Sequence, residues 1–410
     1  MLARLDDRHI VLPGLATAHS HAFQRALRGH CQRRSAEANS FWSWRAYMYA
    51  LAGQLDPESI YRLSRFAYAE LAMAGVTAVG EFHYVHHQPG GQPYEDRTAL
   101  ADAVIAAALD VGIRINLQRV IYQRAGAGKE LEPGQERFCD ATIDASLADI
   151  DTLRKRHAGS PLASIGLAVH SVRAVSRPWI REASAYAKAE SLPMHMHLSE
   201  QRKELAECMQ EHGVPPVLLM AQDEILDDKF VAVHATHLSA EEVKALGDAR
   251  SYVCICRTTE RDLGDGHCDA QALLEAGARL CTGVDSHAIS DPFEESRAIE
   301  LDQRSQREAR TLVADATELL RAATEHGYGS LGLAEHADTD EVRLSRSDPA
   351  LAGLADQTID DAVVFAAGPR AVDEVLVAGQ SVVAGGMHRN YEEIRQDFES
   401  CLTSLRLAID

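Results

Sequence analysis

Two hydrophobic rhythms alternate along this chain. Short apolar, β-branched runs recur as "HIVLPGLATAH", "GVTAVGEFHY", "IRINLQRVIY", "SIGLAVHS", "LPMHMHLSE", "FVAVHAT", "SYVCICRTT" and "ARLCTGVDS". Between them lie longer stretches rich in Ala, Leu and Glu with helical periodicity. In "DPESIYRLSRFAYAELAMA", Pro57 sits near the expected helix start, and Gly75 follows its end. "RTALADAVIAAALDVG" reads the same way. Strand–helix alternation predicts a parallel sheet. Eight such units over roughly 280 residues fit an α/β fold of the (β/α)8 TIM-barrel type.

The polar residues fall at particular places. Each run stays apolar until its C-terminal end, where a chemically capable side chain stands. The ends carry, in order, His19 and His21; Glu81, His83 and Tyr84; Tyr122; His170; His195, His197 and Glu200; His234 and His237; Arg257 and Thr258; Asp285 and His287. A barrel brings all these ends to one face, where active sites sit. Residues i and i+2 of a strand point the same way, so His19 and His21 can present two imidazoles to one point. His195 and His197 alternate likewise. Zinc or a similar divalent ion takes N and O ligands and, in a catalytic site, keeps one position open for water. His19, His21, His197 and Asp285 offer such donors, with His234 between them in barrel order.

Charge and composition narrow the partners. Asp and Glu outnumber Lys and Arg by 61 to 41, a net charge of −20. That excludes a phosphate-tracking surface, and with it nucleic acid. A small anionic substrate is still allowed, held by local arginines against the global field. The apolar runs are too short for a membrane span, and "MLARLDDRHI", with no long apolar core, is not expected to act as a signal peptide. The eight scattered cysteines, with no CxxC pair, are expected to be reduced core thiols of a cytoplasmic protein.

The set HxH, HxxE, H and D at strands one, five, six and eight resembles the amidohydrolase superfamily in its mononuclear deaminase branch. The resemblance implies His19, His21, His197 and Asp285 as ligands of one divalent metal ion, most simply Zn2+ with Fe2+ as the alternative. It implies Glu200 and His234 as proton handlers, with Asp285 both ligand and base. "LPGLATAHSHAFQRALRG", "SFWSWRAYMY", "GVTAVGEFHYVHH", "HSVRAV", "MHMHLSEQ" and "VHATH" together resemble the formimidoylglutamate deiminase family of histidine degradation. That likeness implies Gln24, Arg45, Tyr84, His170 and Arg173 as substrate-binding residues, and hydrolysis of a formimidoyl group to a formyl group and ammonia. The alternatives are another deaminase or hydrolase of the branch, acting on a purine, a pterin or an imidazole-derived acid, or a barrel kept only for binding. A homodimer is expected.

Chemistry supports the substrate class separately. Guanidinium forks suit carboxylates, and Arg45 stands among aromatics in "FWSWRAY". Arg25, Arg28, Arg33 and Arg34 lack such a context and are expected to be solvated.

The chain departs from the family pattern at its ends. Family members carry a longer segment before the first strand, which forms part of a small β-sandwich. Here the barrel is expected over residues 10–345, with residues 1–9 and 346–410 forming a sandwich remnant and a C-terminal helix. "DDAVVFAAG" and "EVLVAGQSVVAGG" read as its strands, incomplete or rebuilt. His267, Cys268 and Asp269 in "TTERDLGDGHCDA", and His83, His86 and His87, are expected to be loop or supporting groups.

Overall fold

In the computed structural model, which describes residues 1–32 and 41–405, eight parallel strands follow one another in chain order around a barrel. They are β1 (Leu15–Ser20), β2 (Val76–His83), β3 (Arg114–Ile121), β4 (Ala163–Val169), β5 (Met194–Leu198), β6 (Phe230–His234), β7 (Tyr252–Ile255) and β8 (Arg279–Thr282). Their inner faces fill the barrel and their outer faces meet helices, which is why the runs are apolar on both sides. The ring closes between β1 and the end of β8 through a bridge from Ser20 to Asp285. His21 N–H donates to the Asp285 carbonyl at 2.9 Å, and Asp285 N–H to the His19 carbonyl at 3.0 Å. The closing seam is thus made by the HxH pair and the strand-eight aspartate.

The first apolar run is two strands, not one. His9–Pro13 joins an antiparallel sheet, and the chain enters the barrel at Leu15. Gly14 makes the crossing because a Cβ there would collide with the Thr77 and Tyr328 hydroxyls. The antiparallel sheet has six strands, ordered Arg4–Leu5, His9–Pro13, Glu341–Ser345, Val372–Val377, Gln380–Ala384 and Met387–His388. The limits expected at residues 10 and 345 therefore fall inside strands of this sheet. Asp340 locks the sheet to the barrel, accepting from Arg114 Nε at 2.7 Å, the Tyr328 hydroxyl at 2.6 Å and Ala378 N–H at 2.8 Å.

"EVLVAGQSVVAGG" forms the hairpin of this sheet, turning at Ala378 and Gly379 with φ of 50° and 74°. "DDAVVFAAG" is a helix, Ile359–Ala366, not a strand. Two aspartates in its first turn complement the helix dipole. The Asp360 carboxylate also accepts the N–H groups of Leu2 and Ala3, a bond that a strand would not offer.

The helix Pro57–Met73 follows the expected signals, with an Asp56–Ser59 capping box before it and Gly75 at φ 100° after it. The C-terminal helix Tyr391–Ser404 packs on it through Phe398, whose ring stacks on Phe66 at 4.1 Å. All eight cysteines are free thiols. No described helix is long and apolar enough to cross a membrane.

Candidate metal centre and substrate cleft

The strand ends converge as the spacing requires. His19 and His197 face each other with Nε2 atoms 3.1 Å apart. Asp285 Oδ1 lies 3.4 Å from Nε2 of both His19 and His21. His21 donates from Nδ1 to the Phe82 carbonyl at 3.0 Å, which leaves its Nε2 a lone pair aimed at the group. Burial pushes the His19 and His197 pKa values well below the ordinary value, and that of His21 down to about 3. Three imidazoles with lowered pKa values converge, all buried, and the Asp285 carboxylate stands against two of them. This donor set fits a divalent cation. His19, His234 and Asp285 form a second overlapping group of the same kind.

Two of these residues leave their strands in the left-handed conformation, His234 at φ 71° and Asp285 at φ 51°. Such backbone is uncommon outside glycine and concentrates at functional sites. Here it turns both side chains into the barrel mouth. His234 Nε2 lies 3.8 Å from Asp285 Oδ2 and 4.0 Å from Glu200 Oε1. Its Nδ1 lies 3.4 Å from Glu260 Oε1. Burial alone would lower the His234 pKa, but the surrounding carboxylates of Glu200, Glu260 and Asp285 raise it to about 10. Burial raises the pKa of Glu200, against the pull of His234 and Arg173.

A cleft of about 570 Å³ opens over these groups. It is lined by His21, His197, Glu200, His234 and Asp285 at one end, and Gln24, Arg45, Tyr84, His170 and Arg173 further out. Every site residue named from the sequence except His19 thus faces one cleft, and His19 sits directly beneath it. Gln24 Nε2 donates to the Tyr84 hydroxyl at 2.8 Å. Its Oε1 is buried with no hydrogen-bond partner among the described residues. The neutral His170 ring packs on His197 and Tyr122, with centroids at 5.0 and 4.6 Å.

The two arginines differ. Arg173 is largely buried, with Nη2 3.7 Å from Glu200 and Nε 3.8 Å from Glu204, too far for hydrogen bonds. Its Nε has no hydrogen-bond partner among the described residues. Burial disfavours its charge, but Glu204 and Glu200 outweigh this and hold it protonated. Arg45 Nη2 instead lies 2.8 Å from each carboxylate oxygen of Glu132. Its guanidinium packs over Trp42 at 4.6 Å and Tyr49 at 5.3 Å.

Several residues lie elsewhere than the sequence implied. His195 sits two residues below His197, one layer deeper in the barrel, and bonds the Ser330 carbonyl at 2.8 Å. Arg257 opens a helix and binds Glu260 at 2.6 Å and Asp302 at 2.8 Å. Arg25 and Arg28 are not solvated: both grip Glu70, at 2.9 and 2.8 Å. Although burial opposes it, their charges bring the Glu70 pKa down to about 2. Arg33 and Arg34 lie outside the described residues, as does Ser40 of "SFWSWR". His86 bonds the carbonyl of Val120 in β3 and His87 that of Cys139, and His83 is buried beside them. His267 bonds Gln306, Cys268 is buried, and Asp269 caps the following helix.

Sequence reasoning missed Glu260, which orients His234, and Glu204, which balances Arg173. Burial raises the Glu204 pKa to about 7. It also missed Trp42, whose ring carries Arg45, Arg173 at 5.9 Å and Lys203 at 4.1 Å. The signal for Glu260 was its place in the turn after β7; for Glu204 there was none beyond helical spacing from Glu200.

The amidohydrolase family model matches residues 10–382. Formimidoylglutamate deiminase of Pseudomonas aeruginosa is 36% identical over 409 residues, covering 96% of this chain and 89% of that protein. A 5-methylthioadenosine/S-adenosylhomocysteine deaminase of Pyrococcus furiosus is 26% identical, covering 95% and 88%. The crystal structure of an amidohydrolase from Brucella melitensis superposes with a TM-score of 0.91 at 33% identity, over 96% of this chain and 89% of that one. With the barrel, the buried histidine–aspartate cluster and these likenesses in agreement, the chain belongs to the amidohydrolase family, in its deaminase branch.

Proposed function

We propose that this enzyme hydrolyses N-formimidoyl-L-glutamate to N-formyl-L-glutamate and ammonia, as part of histidine degradation. The observation that carries the reading is Arg173, a largely buried guanidinium that lines the cleft of a protein with net charge −20 and stands near Glu200 and Glu204 without hydrogen-bonding to either. Its charge is balanced by those carboxylates, but its hydrogen-bonding capacity is left for a ligand. A substrate carboxylate uses that capacity, and Arg45 at the mouth takes a second. The similarity to a formimidoylglutamate deiminase supports the same substrate.

His19, His21, His197 and Asp285 would hold one divalent ion, most simply zinc, given three nitrogens and one oxygen. Such an ion, when bound, supplies an activated water by lowering its pKa from about 15.7 towards 7. Asp285 divides its work between two oxygens. Oδ1 faces His19 and His21 with the ligands, whereas Oδ2 faces His234 and accepts the attacking water's proton.

Water adds to the formimidoyl carbon. His234 Nε2, protonated and held by Glu260, stabilises charge developing at that carbon's substituents. Glu200, whose pKa burial raises, gives a proton to the imine nitrogen as water adds and takes the water's proton over from Asp285. Glu200 gives this second proton to the same nitrogen while the proton of the new hydroxyl passes to Asp285, so the carbon–nitrogen bond breaks, ammonia leaves, a formyl group remains, and Asp285 returns its proton to Glu200. Gln24 Oε1 accepts an N–H of the amidine, and Tyr84 holds Gln24 in that orientation.

Phe41, Trp44, Tyr49, Tyr122 and Phe138 also line the cleft, and stacking rings favour a second reading in which a purine is deaminated. Ammonia release by the zinc-loaded protein decides between them. Formimidoylglutamate should be turned over far more efficiently than 5′-methylthioadenosine or 8-oxoguanine. A higher kcat/KM for either ring compound rejects the proposed substrate and keeps only the deaminase chemistry.

A further inference from the structure

The carboxylate on Arg45 is the protein's own. Glu132 presents both oxygens to Nη2 at 2.8 Å, in the way an incoming substrate carboxylate would. We propose that Glu132 is an internal competitor for Arg45, and that only a ligand bringing its own carboxylate can displace it, so that Glu132 sets substrate selectivity at the cleft mouth. This rests on the reading above, in which Arg45 meets a substrate carboxylate.

The placement of Glu132 is built off the cleft wall. Its backbone N–H donates to Gln135 Oε1 at 2.7 Å. Gln135 is buried, and its Nε2 donates in turn to the hydroxyls of Tyr49 and Tyr122, both at 3.0 Å. Those two tyrosines line the cleft. The segment before Glu132 runs as a strap along the helix Arg202–His212. It is tied there by Arg124 to Glu211 at 2.8 Å and by Lys129 to Glu207 at 2.6 Å. Gly134, at φ 91°, turns the chain back into the wall.

Exposure gives the contact its reversibility. The Glu132 side chain is 50% exposed, against 17% for Arg45. Glu132 can therefore move out to water while Arg45 stays seated between Trp42 and Tyr49. A half-exposed ion pair of this kind is weak enough to exchange. A ligand carboxylate entering on the inner side of Arg45 faces a second carboxylate on the same guanidinium, and like charges this close repel. One of the two must leave. A neutral ring has nothing with which to make that exchange, so it finds the contact closed.

The test uses the full-length zinc-loaded protein, with glutarate as a non-reacting dicarboxylate probe measured by calorimetry and formimidoylglutamate as substrate. Glu132→Gln keeps size and removes charge. It should lower both the glutarate Kd and the KM by about threefold, the scale of one exposed ion pair, with kcat unchanged. Glu207→Gln removes the same charge from the same strap and should move neither value. An unchanged or higher glutarate Kd in Glu132→Gln overturns the proposal, as does an equal fall in Glu207→Gln. Failure of glutarate to bind either protein also overturns it. If formimidoylglutamate is not a substrate but glutarate still binds Glu132→Gln more tightly, the substrate assignment fails and the competitor role stands.

Discussion

The two ends of the cleft are built differently. At the deep end, His19, His21, His197, Glu200, His234 and Asp285 all come from strand termini or the one to three residues beyond them, and all are buried. Neighbouring strands fix their positions; burial lowers the pKa values of His19, His21 and His197, whereas the carboxylates around His234 raise its own. At the mouth, Arg45, Trp42 and Glu132 come from the helix Phe41–Ala52 and from a loop, and they are partly exposed. The deep end is prepared for one reaction before anything binds. The mouth is held by contacts that a ligand can exchange. Substitutions should therefore cost most at the deep end and least at the mouth, and that gradient can be measured.

The largest effect is expected at His197. His197→Ala removes one of three converging imidazoles. Loss of a group that merely orients a ligand costs roughly 10- to 100-fold in metal affinity, so loss of the ligand should cost more than about 100-fold. Elemental analysis after dialysis should show zinc largely gone, and ammonia release should vanish with it. Full metal occupancy in this variant would place the centre elsewhere and break the comparison at its deep end.

Next comes Arg173. A desolvated charge-assisted contact is worth about 2–5 kcal/mol when one partner is removed. Arg173→Met should lower kcat/KM by roughly thirtyfold to several thousandfold while zinc content stays normal. A change below about fivefold would mean that the buried guanidinium serves Glu204 and Glu200 and not the substrate.

The deep end is also the part that could be read from the sequence. Strand periodicity is two, so an HxH or MHMH pair at a strand end determines where its imidazoles point, and barrel topology gathers the ends on one face. The same rule puts His195 on the face of His197 but not at its depth, and His195 bonds the Ser330 carbonyl one layer below. The split at Gly14 was hidden because two successive strands in different sheets read as one apolar run. The helix Ile359–Ala366 was mistaken for a strand because a short apolar segment has no decisive period; its two leading aspartates were the usable signal. The mouth was legible only in part. Arg45 could be named, but its partner Glu132 lies in a loop 87 positions along the chain, and no periodicity connects the two.

Arg45 should accordingly matter less than Arg173. Its guanidinium is partly exposed and already satisfied by Glu132, so Arg45→Met removes one carboxylate contact while releasing the internal competitor. A loss of about 1–2 kcal/mol, or roughly five- to thirtyfold in kcat/KM, is expected, appearing mainly in KM. Equal losses at Arg45 and Arg173 would erase the difference between the two ends.

The smallest effect concerns salt. Screening shortens electrostatic reach from about 10 Å at 0.1 M to about 3 Å at 1 M, and it acts on exposed charges far more than on buried ones. Arg173 is buried, so its contact should scarcely respond. At Arg45, docking exchanges one carboxylate for another. Salt weakens the bond that is lost and the bond that is made to similar degrees, so the two changes cancel. Relief of the general repulsion from a net charge of −20 is common to the wild type and its single-residue variants. Between low salt and about 0.5 M, the wild-type KM should therefore change by less than about twofold, whereas Glu132→Gln, which has no bond to lose, should show a rise of about threefold relative to it. Steady-state kinetics at matched pH reads both slopes. A steeper slope in the wild type would mean that substrate binding does not displace Glu132, and that the mouth is as fixed as the metal end.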